Sequence, residues 1–355
     1  VMFSIHPPVS SSLRVSRRRV VSHLGLAAAA VVTLAACGSS GDAAEPAATD
    51  EAAEAPVEAQ FTVVVSDPPI ADLVSQVAGD DVEVASVVPM GADGHTYEPV
   101  PADARTMAEA DMYIENGMNL NNVVTSFAVV NYPEGTPHHV LSEVIPPSEV
   151  IATDSAEEIA SHGHAHSFNA HFWPDLRYAT MYVERISEIL SDYDPANAAG
   201  YAERAAAVTA QLQEMDAAFV AALGTIPEQN RKMVVYHDSW SYYGRRYNIP
   251  VIGAIQPTDF SEPSAAELRS TIEQVRATQV PAFFGSEVFP SDVLEVIEAE
   301  SGAAYVADLS DDKLPGEPGS PEHSYQGMML ANTRTIVEAL GGEASALDSI
   351  VLTAS

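Results

Sequence analysis

Short runs of β-branched and aromatic residues alternate with helical patterns from Phe61 to Leu340, and this alternation constrains the fold more than any other feature of the chain. Alternating strands and helices are typical of βα units, which build a largely parallel sheet. The predicted strands cover residues 61–65, 82–88, 111–114, 232–236, 250–254, 281–285 and 303–307. Helices are predicted at 176–190, 265–277, 291–301 and 324–340.

A further long helix is predicted after Asp194, with Asp194 as its N-cap and Pro195 in its first turn, and it runs to about Leu223. At about 1.5 Å per residue such a helix spans roughly 40 Å. The chain of 355 residues is long enough for two domains. We predict an α/β protein of two lobes, each with a mostly parallel sheet flanked by helices, joined by the long helix. The predicted boundaries are an N-terminal lobe at 61–194, the linking helix at 195–223 and a C-terminal lobe at 224–345.

The first 36 residues resemble an export signal. Arginines at 14 and 17–19 precede an apolar stretch at 24–36 that is too short to span a bilayer. The sequence Leu-Ala-Ala-Cys at 34–37 resembles a bacterial lipobox, which predicts a lipoprotein with its lipid on Cys37 and the membrane as its anchor point. Because Cys37 is the only cysteine, a disulfide or a thiolate metal site within the chain is excluded. Residues 37–60 are predicted to form a disordered acidic tether.

The net charge limits the possible partners. The chain has 50 acidic and 16 basic residues, for a formal charge of −34. Nucleic acids and anionic membrane surfaces are bound by clustered lysine and arginine, so this balance argues against both.

Three potential metal ligands follow predicted strands, and a fourth, His171, lies just ahead of a helix. The three are His95, His237 and Asp308. In open α/β sheets, ligands bind beyond the carboxyl ends of the strands. Imidazole nitrogens with one carboxylate suit zinc or another first-row divalent ion. The arrangement predicts a metal site in the cleft between the two lobes.

Other potential donors are accessory in this interpretation. The alternating segment at 161–166 contains His162, His164 and His166 and has a composition associated with metal binding, so we interpret it as a low-affinity collector. Glu287 also follows a predicted strand and is a candidate for a fifth oxygen donor or a partner of the ligands.

Several motifs resemble the metal-specific solute-binding lipoproteins of bacterial ABC importers for zinc and manganese, a family that includes adhesin-like lipoproteins. The resemblance runs from about Phe61 to Leu340. It is carried by Pro-Met-Gly-Ala-Asp-Gly-His-Thr-Tyr-Glu-Pro at 89–99, Asn-x-His-x-Trp at 169–173, Tyr-His-Asp-Ser-Trp-Ser-Tyr-Tyr-Gly-Arg-Arg-Tyr at 236–247, Ser-Glu-Pro-Ser at 261–264, Asp-Leu-Ser at 308–310 and His-Ser-Tyr-Gln-Gly-Met-Met at 323–329. The chain departs from the family pattern at Ala170, where proline is common, and at Pro-Asp-Leu in 174–176.

The resemblance implies a non-enzymatic receptor, a monomer held at the outer face of the cell membrane. It would capture a divalent metal and pass it to a membrane permease driven by an ATPase. It implies the metal ligands His95, His171, His237 and Asp308. Three histidines favour zinc as the transported ion, and manganese or iron is the alternative. Members with glutamate at the position of His237 lean toward manganese.

Two other classes of function stay open at this point. A zinc hydrolase needs an open coordination position and a general base, for which Glu287 or Asp238 would be the candidates. The chain has no His-Glu-x-x-His motif, and a fourth protein ligand would close the shell. A surface adhesin with a purely structural metal is the second alternative.

Overall fold

Two four-stranded sheets organise the computed structural model, which describes residues 60–92, 94–153, 167–254, 264–285, 292–307 and 309–353. The first sheet contains β1 (Phe61–Val65), β2 (Val82–Ser86), β3 (Met112–Glu115) and β4 (His138–Val140). The second contains β5 (Met233–Val235), β6 (Val251–Ala254), β7 (Ala282–Phe284) and β8 (Ala304–Val306). Every pairing in both sheets is parallel, which confirms the predicted fold class.

Helices follow most of the strands in the described parts of the chain. They are α1 (Pro68–Ala78), α2 (Pro101–Ala108), α3 (Asn122–Asn131), α4 (Leu176–Tyr193), α5 (Ala198–Leu223), α6 (Ser241–Tyr247), α7 (Ala265–Thr278), α8 (Asp292–Ser301) and α9 (Tyr325–Ala339). Ser324 caps α9 by accepting a hydrogen bond from the main-chain N–H of Gly327 over 3.1 Å. Among the described residues, no helix is both long enough and apolar enough to cross a membrane.

The two sheets share one strand order. It is β2-β1-β3-β4 in the first sheet and β6-β5-β7-β8 in the second. In each sheet the chain leaves the first strand in one direction and returns to pair on its other side. This reversal opens a crevice at the carboxyl ends of the two central strands, which is where such sheets bind ligands. The crevices therefore lie between β1 and β3 in one sheet and between β5 and β7 in the other.

Each sheet is buried on both faces, as expected of parallel strands covered by helices. Side chains alternate along a strand, so Val63 and Val65 of β1 pack into the largest hydrophobic cluster, whereas Val64 packs with Val124 and Ala128 of α3. The second sheet repeats this division, with Val235 on the large cluster and Val234 on the other face. Leu212, Met215 and Phe219 of α5 belong to the same large cluster as both inner faces.

The predicted start of the long helix is wrong, because the helix begins three residues later, after Asn197 rather than after Asp194. Asp194 ends α4, and its carboxylate accepts hydrogen bonds from the side chains of Asn197 and Tyr201 over 2.7 and 2.9 Å. Asn197 is the N-cap of α5, which begins at Ala198. Pro195 therefore lies in the turn between the helices, because the carboxylate of Asp194 orders that turn rather than the first turn of α5. With 26 residues, α5 is about 39 Å long.

Candidate metal centre

Three of the four predicted ligands converge. His95 lies in the loop that follows β2, His171 lies just before α4, and His237 lies two residues beyond the end of β5. His171 and His237 are buried, with 5% and 8% of their surface exposed, and His95 is half-buried. Since His95 and His237 follow strands of different sheets, the cluster brings together loops from both sheets.

The histidines face one another through the same ring atom. The Nε2 atom of His171 lies 2.9 Å from Nε2 of His95 and 3.2 Å from Nε2 of His237. The ring centroids of the three pairs are 5.0, 5.0 and 4.9 Å apart. Three imidazole nitrogens thus point at one small volume.

These separations suit a tetrahedral ion. Zinc–nitrogen bonds of about 2.0–2.1 Å at tetrahedral angles put neighbouring nitrogens about 3.3 Å apart. The distance of 3.2 Å between His171 and His237 is close to that value, and the distance of 2.9 Å to His95 needs an increase of a few tenths of an ångström. An ion fits between the three rings after a small movement of the His95 loop.

Asn169 fixes the orientation of the His171 ring. Its side-chain N–H donates to the main-chain oxygen of Asp238 over 2.7 Å, so its Oδ1 faces the other way. That oxygen accepts hydrogen bonds from the main-chain N–H and from Nδ1 of His171, each over 3.0 Å. Because Oδ1 only accepts, Nδ1 of His171 carries the proton and Nε2 offers its lone pair to the cluster. The same side chain also ties the His171 loop to the residue after His237.

Burial keeps the His171 ring neutral. The pKa of His171 lies well below its ordinary value of 6.5. The main cause is desolvation by burial, and the positive charges that His237 and His95 would carry lower it further. Metal coordination requires the neutral form of histidine. At neutral pH this ring is therefore ready to bind an ion without first releasing a proton.

The segment after position 308 is anchored on α9. The side chain of Asn332 accepts a hydrogen bond from the main-chain N–H of Ser310 over 2.9 Å and donates one to its main-chain oxygen over 2.6 Å. Across the cleft, the main-chain N–H of Leu314 donates to Sδ of Met90 over 3.2 Å. These contacts place the chain that follows residue 308 beside the loop that carries His95.

The remaining predicted site residues lie outside the described residues. They are Cys37, His162, His164, His166, Glu287 and Asp308. Asp238, considered above as a general base, is described, and its carboxylate accepts hydrogen bonds from the hydroxyl of Ser241 over 2.7 Å. Sequence reasoning missed the part played by Asn169, although its place two residues before His171 in the quoted motif was the available signal.

The fold and the site define a class: a two-lobed α/β binding protein with a histidine cluster, suited to a divalent metal, between its two sheets. The family model described as zinc-uptake complex component A, periplasmic, matches residues 63–339, and the chain belongs to that family. It is therefore the solute-binding component of a metal ABC importer. Members of this family are not enzymes, so the hydrolase alternative is wrong.

Curated relatives cover almost the same length. The metal ABC transporter substrate-binding lipoprotein ScbA of Streptococcus cristatus is 26% identical over 316 residues, which are 88% of this chain and 96% of the relative. The manganese-binding lipoprotein MntA of Halalkalibacterium halodurans is 26% identical over 310 residues, 87% and 97% of the two chains.

Solved structures show the same fold. The periplasmic zinc binding protein TroA from Treponema pallidum superimposes with a TM-score of 0.70 and 26% identity, over 79% of this chain and 99% of that one. The solute-binding protein FpvC from Pseudomonas aeruginosa, solved in complex with Mn²⁺, gives a TM-score of 0.68 at 26% identity, over 79% and 98%.

Proposed function

We propose that this chain captures zinc through His95, His171, His237 and Asp308 and delivers it to a membrane permease with its ATPase. The observation that carries the proposal is the convergence of three Nε2 atoms, two of them on buried rings. Zinc takes nitrogen and carboxylate ligands in tetrahedral sites, and a fourth ligand from Asp308 would complete the shell. Zinc also binds nitrogen-rich sites more tightly than manganese does.

Manganese is the second candidate for the transported ion. Relatives named as manganese-binding lipoproteins and the manganese complex of FpvC favour it. The donor set of this chain favours zinc, because manganese prefers carboxylate, carbonyl and water oxygens, whereas imidazole suits zinc. Chemical affinity and supply in the cell are separate matters, so both ions belong in the test.

We further propose that the mature protein is a monomer attached to the outer face of the cell membrane by lipid on Cys37. The apolar stretch and lipobox-like sequence at 24–37 support this placement, as do relatives whose names describe them as lipoproteins. A tether at 37–60 would let the binding body reach the permease.

The test is a titration of the mature protein with zinc and with manganese against a competing chelator. We expect one tight site and a lower dissociation constant for zinc. Alanine in place of His95, His171 or His237 should weaken zinc binding by more than about 100-fold, since loss of an outer-shell partner alone costs about 10- to 100-fold. The matched control is His139→Ala, because His139 lies on β4 outside the cluster.

Three results would count against this function. Absence of a tight site for either ion would refute the role as a metal receptor. Tighter binding of manganese than of zinc would make manganese the transported ion. Metal that exchanges with the chelator supports a transport role, whereas metal that cannot be withdrawn without unfolding would favour the structural metal of an adhesin.

A further inference from the structure

A network of buried hydrogen bonds lies at the carboxyl ends of β1 and β3, in the crevice of the first sheet. The carboxylate of Asp67 is 1% exposed, and its Oδ2 accepts a hydrogen bond from the hydroxyl of Ser66 over 2.5 Å. Its Oδ1 accepts another from the side-chain N–H of Asn121 over 2.8 Å. A buried carboxylate is costly unless it is hydrogen-bonded, so these donors hold Asp67 in one position.

Asn121 makes a second hydrogen bond, to the loop that carries His95. The side-chain nitrogen that contacts Asp67 also donates to the main-chain oxygen of Gly94 over 3.0 Å. Gly94 is buried and immediately precedes His95. The two N–H bonds of one amide group therefore connect a fixed carboxylate to the backbone of a predicted metal ligand.

The packing around Gly94 leaves no space for a side chain. A Cβ atom at this position would lie 2.6 Å from the amide nitrogen of Asn121 and 2.8 Å from Oδ1 of Asp67. Glycine is required at position 94 because neighbouring side chains approach its backbone closely. At Gly91 the backbone conformation favours glycine instead, since its φ is +77°. The loop thus rests directly on the pair formed by Asp67 and Asn121.

The side chain of Asn121 does not cap the helix that it precedes. Asn121 is the N-cap residue of α3, where asparagine ordinarily accepts a hydrogen bond from the second or third N–H of the helix. Here its side chain makes no capping bond. The helix gives up that stabilisation, and the amide points to Asp67 and Gly94 instead.

We propose that Asn121, held by Asp67, is a positioning residue that places the ring of His95 for metal binding. The inference rests on the proposed function, because it assigns His95 as a ligand. Asn121 acts through the backbone of Gly94 and does not itself ligate. Metal–ligand distances tolerate only about 0.2 Å, so release of the loop weakens the site even when all the ligands are present.

Asn121→Ser separates positioning from helix capping. Serine is a good N-cap, so it can stabilise α3, but its short hydroxyl cannot span both Asp67 and Gly94. The matched control is Asn122→Ser, at the exposed neighbouring position. Gly94→Ala disturbs the same contact from the other side, because its methyl group would lie against Asn121 and Asp67, neither of which is itself substituted.

The measurements are zinc affinity with a competing chelator, the visible absorption spectrum of the cobalt-substituted protein, and the thermal midpoint of the metal-free protein. For Asn121→Ser and Gly94→Ala we expect zinc affinity to fall about 10- to 100-fold, with a changed cobalt spectrum. Asn121→Ser should lower the thermal midpoint of the metal-free protein, because the buried carboxylate of Asp67 loses a donor, and Asn122→Ser should match the wild type in all three measurements.

Wild-type affinity and a wild-type cobalt spectrum in both Asn121→Ser and Gly94→Ala would overturn the assignment. A loss of affinity with an unchanged cobalt spectrum would assign Asn121 to the stability of the fold instead. If the wild type itself lacks a tight site, the proposed function fails, and that outcome is distinct from a variant that binds as well as the wild type.

Discussion

The indole Nε1 of Trp173 donates a hydrogen bond to the main-chain oxygen of Asp311 over 3.1 Å. The indole lies beside the His171 ring, at a centroid distance of 5.2 Å, and Trp173 is buried. Asp311 comes three residues after Asp308. One aromatic side chain therefore contacts a ring of the histidine cluster and the backbone that follows the predicted carboxylate ligand.

Replacing Trp173 with phenylalanine should speed metal release and destabilise the fold. The variant keeps an aromatic ring but loses the only N–H of the indole, which leaves the buried oxygen of Asp311 without that donor. Such a loss costs about 1–3 kcal/mol. Stopped-flow transfer of zinc to a chelator measures release, and urea unfolding measures stability.

The chain has two tryptophans, so Trp240→Phe serves as the control for Trp173→Phe. Trp240 packs edge-on against Tyr243 at 5.4 Å, away from the contact with Asp311. We expect metal to change the fluorescence of Trp240→Phe, in which Trp173 is the remaining tryptophan. A fluorescence response that persists in Trp173→Phe and disappears in Trp240→Phe would contradict this prediction.

Asn169→Leu should weaken zinc binding by about 10- to 100-fold, as expected when a partner that orients a ligating histidine is lost. Leucine removes the acceptor for Nδ1 of His171 and the donor to Asp238. Asn169→Asp restores the acceptor alone, so its affinity should lie between those of Asn169→Leu and the wild type. Chelator competition measures all three, and equal affinities would refute the orienting role.

Alanine at His162, His164 and His166 together should leave the tight site intact and remove only weaker additional binding. This prediction comes from sequence alone, since an alternating histidine tract next to glycine and serine has the composition of a low-affinity collector. Isothermal titration with excess zinc separates the two classes of site. Loss of the tight site in the triple variant would make the tract part of the principal centre.

The repeated strand–helix pattern was sufficient to predict two parallel sheets, because buried parallel strands are continuous apolar runs bounded by turns. The strand β4 was missed. It has three residues, all half-buried, and two of them are histidines, so it has no apolar run to detect. Its pairing with β3, Tyr113 against His138, forms only in the assembled sheet.

The metal centre, like the sheets, has parts that the sequence predicts and parts that only the folded structure shows. His95 and His237 were expected at the carboxyl ends of strands, and the structure brings them together with His171. The contacts of Asn121 were not predictable, because Asp67 and Gly94 are 54 and 27 residues away along the chain. Asn121 was not among the residues singled out from the sequence, and only the folded structure shows that its amide contacts Asp67 and Gly94.

The buried state of His171 gives the metal-free protein a defined pH dependence. Desolvation, and the charges that His237 and His95 would carry, keep the pKa of His171 well below 6.5 in the folded protein. The unfolded chain takes up this proton near pH 6.5. Below that pH the unfolded state binds more protons than the folded state, so the free energy of unfolding decreases on acidification. The contribution of His171 to stability is complete above about pH 7 and is lost progressively as the pH falls from 6.5 towards the lower pKa of the folded state.

Urea unfolding of chelator-treated protein between pH 5 and 8 tests this sign. One such group contributes a slope of at most about 1.4 kcal/mol per pH unit. His171→Gln removes the titration and should flatten the profile below pH 6.5. His139→Gln is the matched comparison, because burial also lowers the pKa of His139, which lies outside the cluster. Saturating zinc should raise stability most at neutral pH, where the ligands are already neutral. A profile for His171→Gln as steep as that of the wild type would show that other groups set the acid limit of the fold.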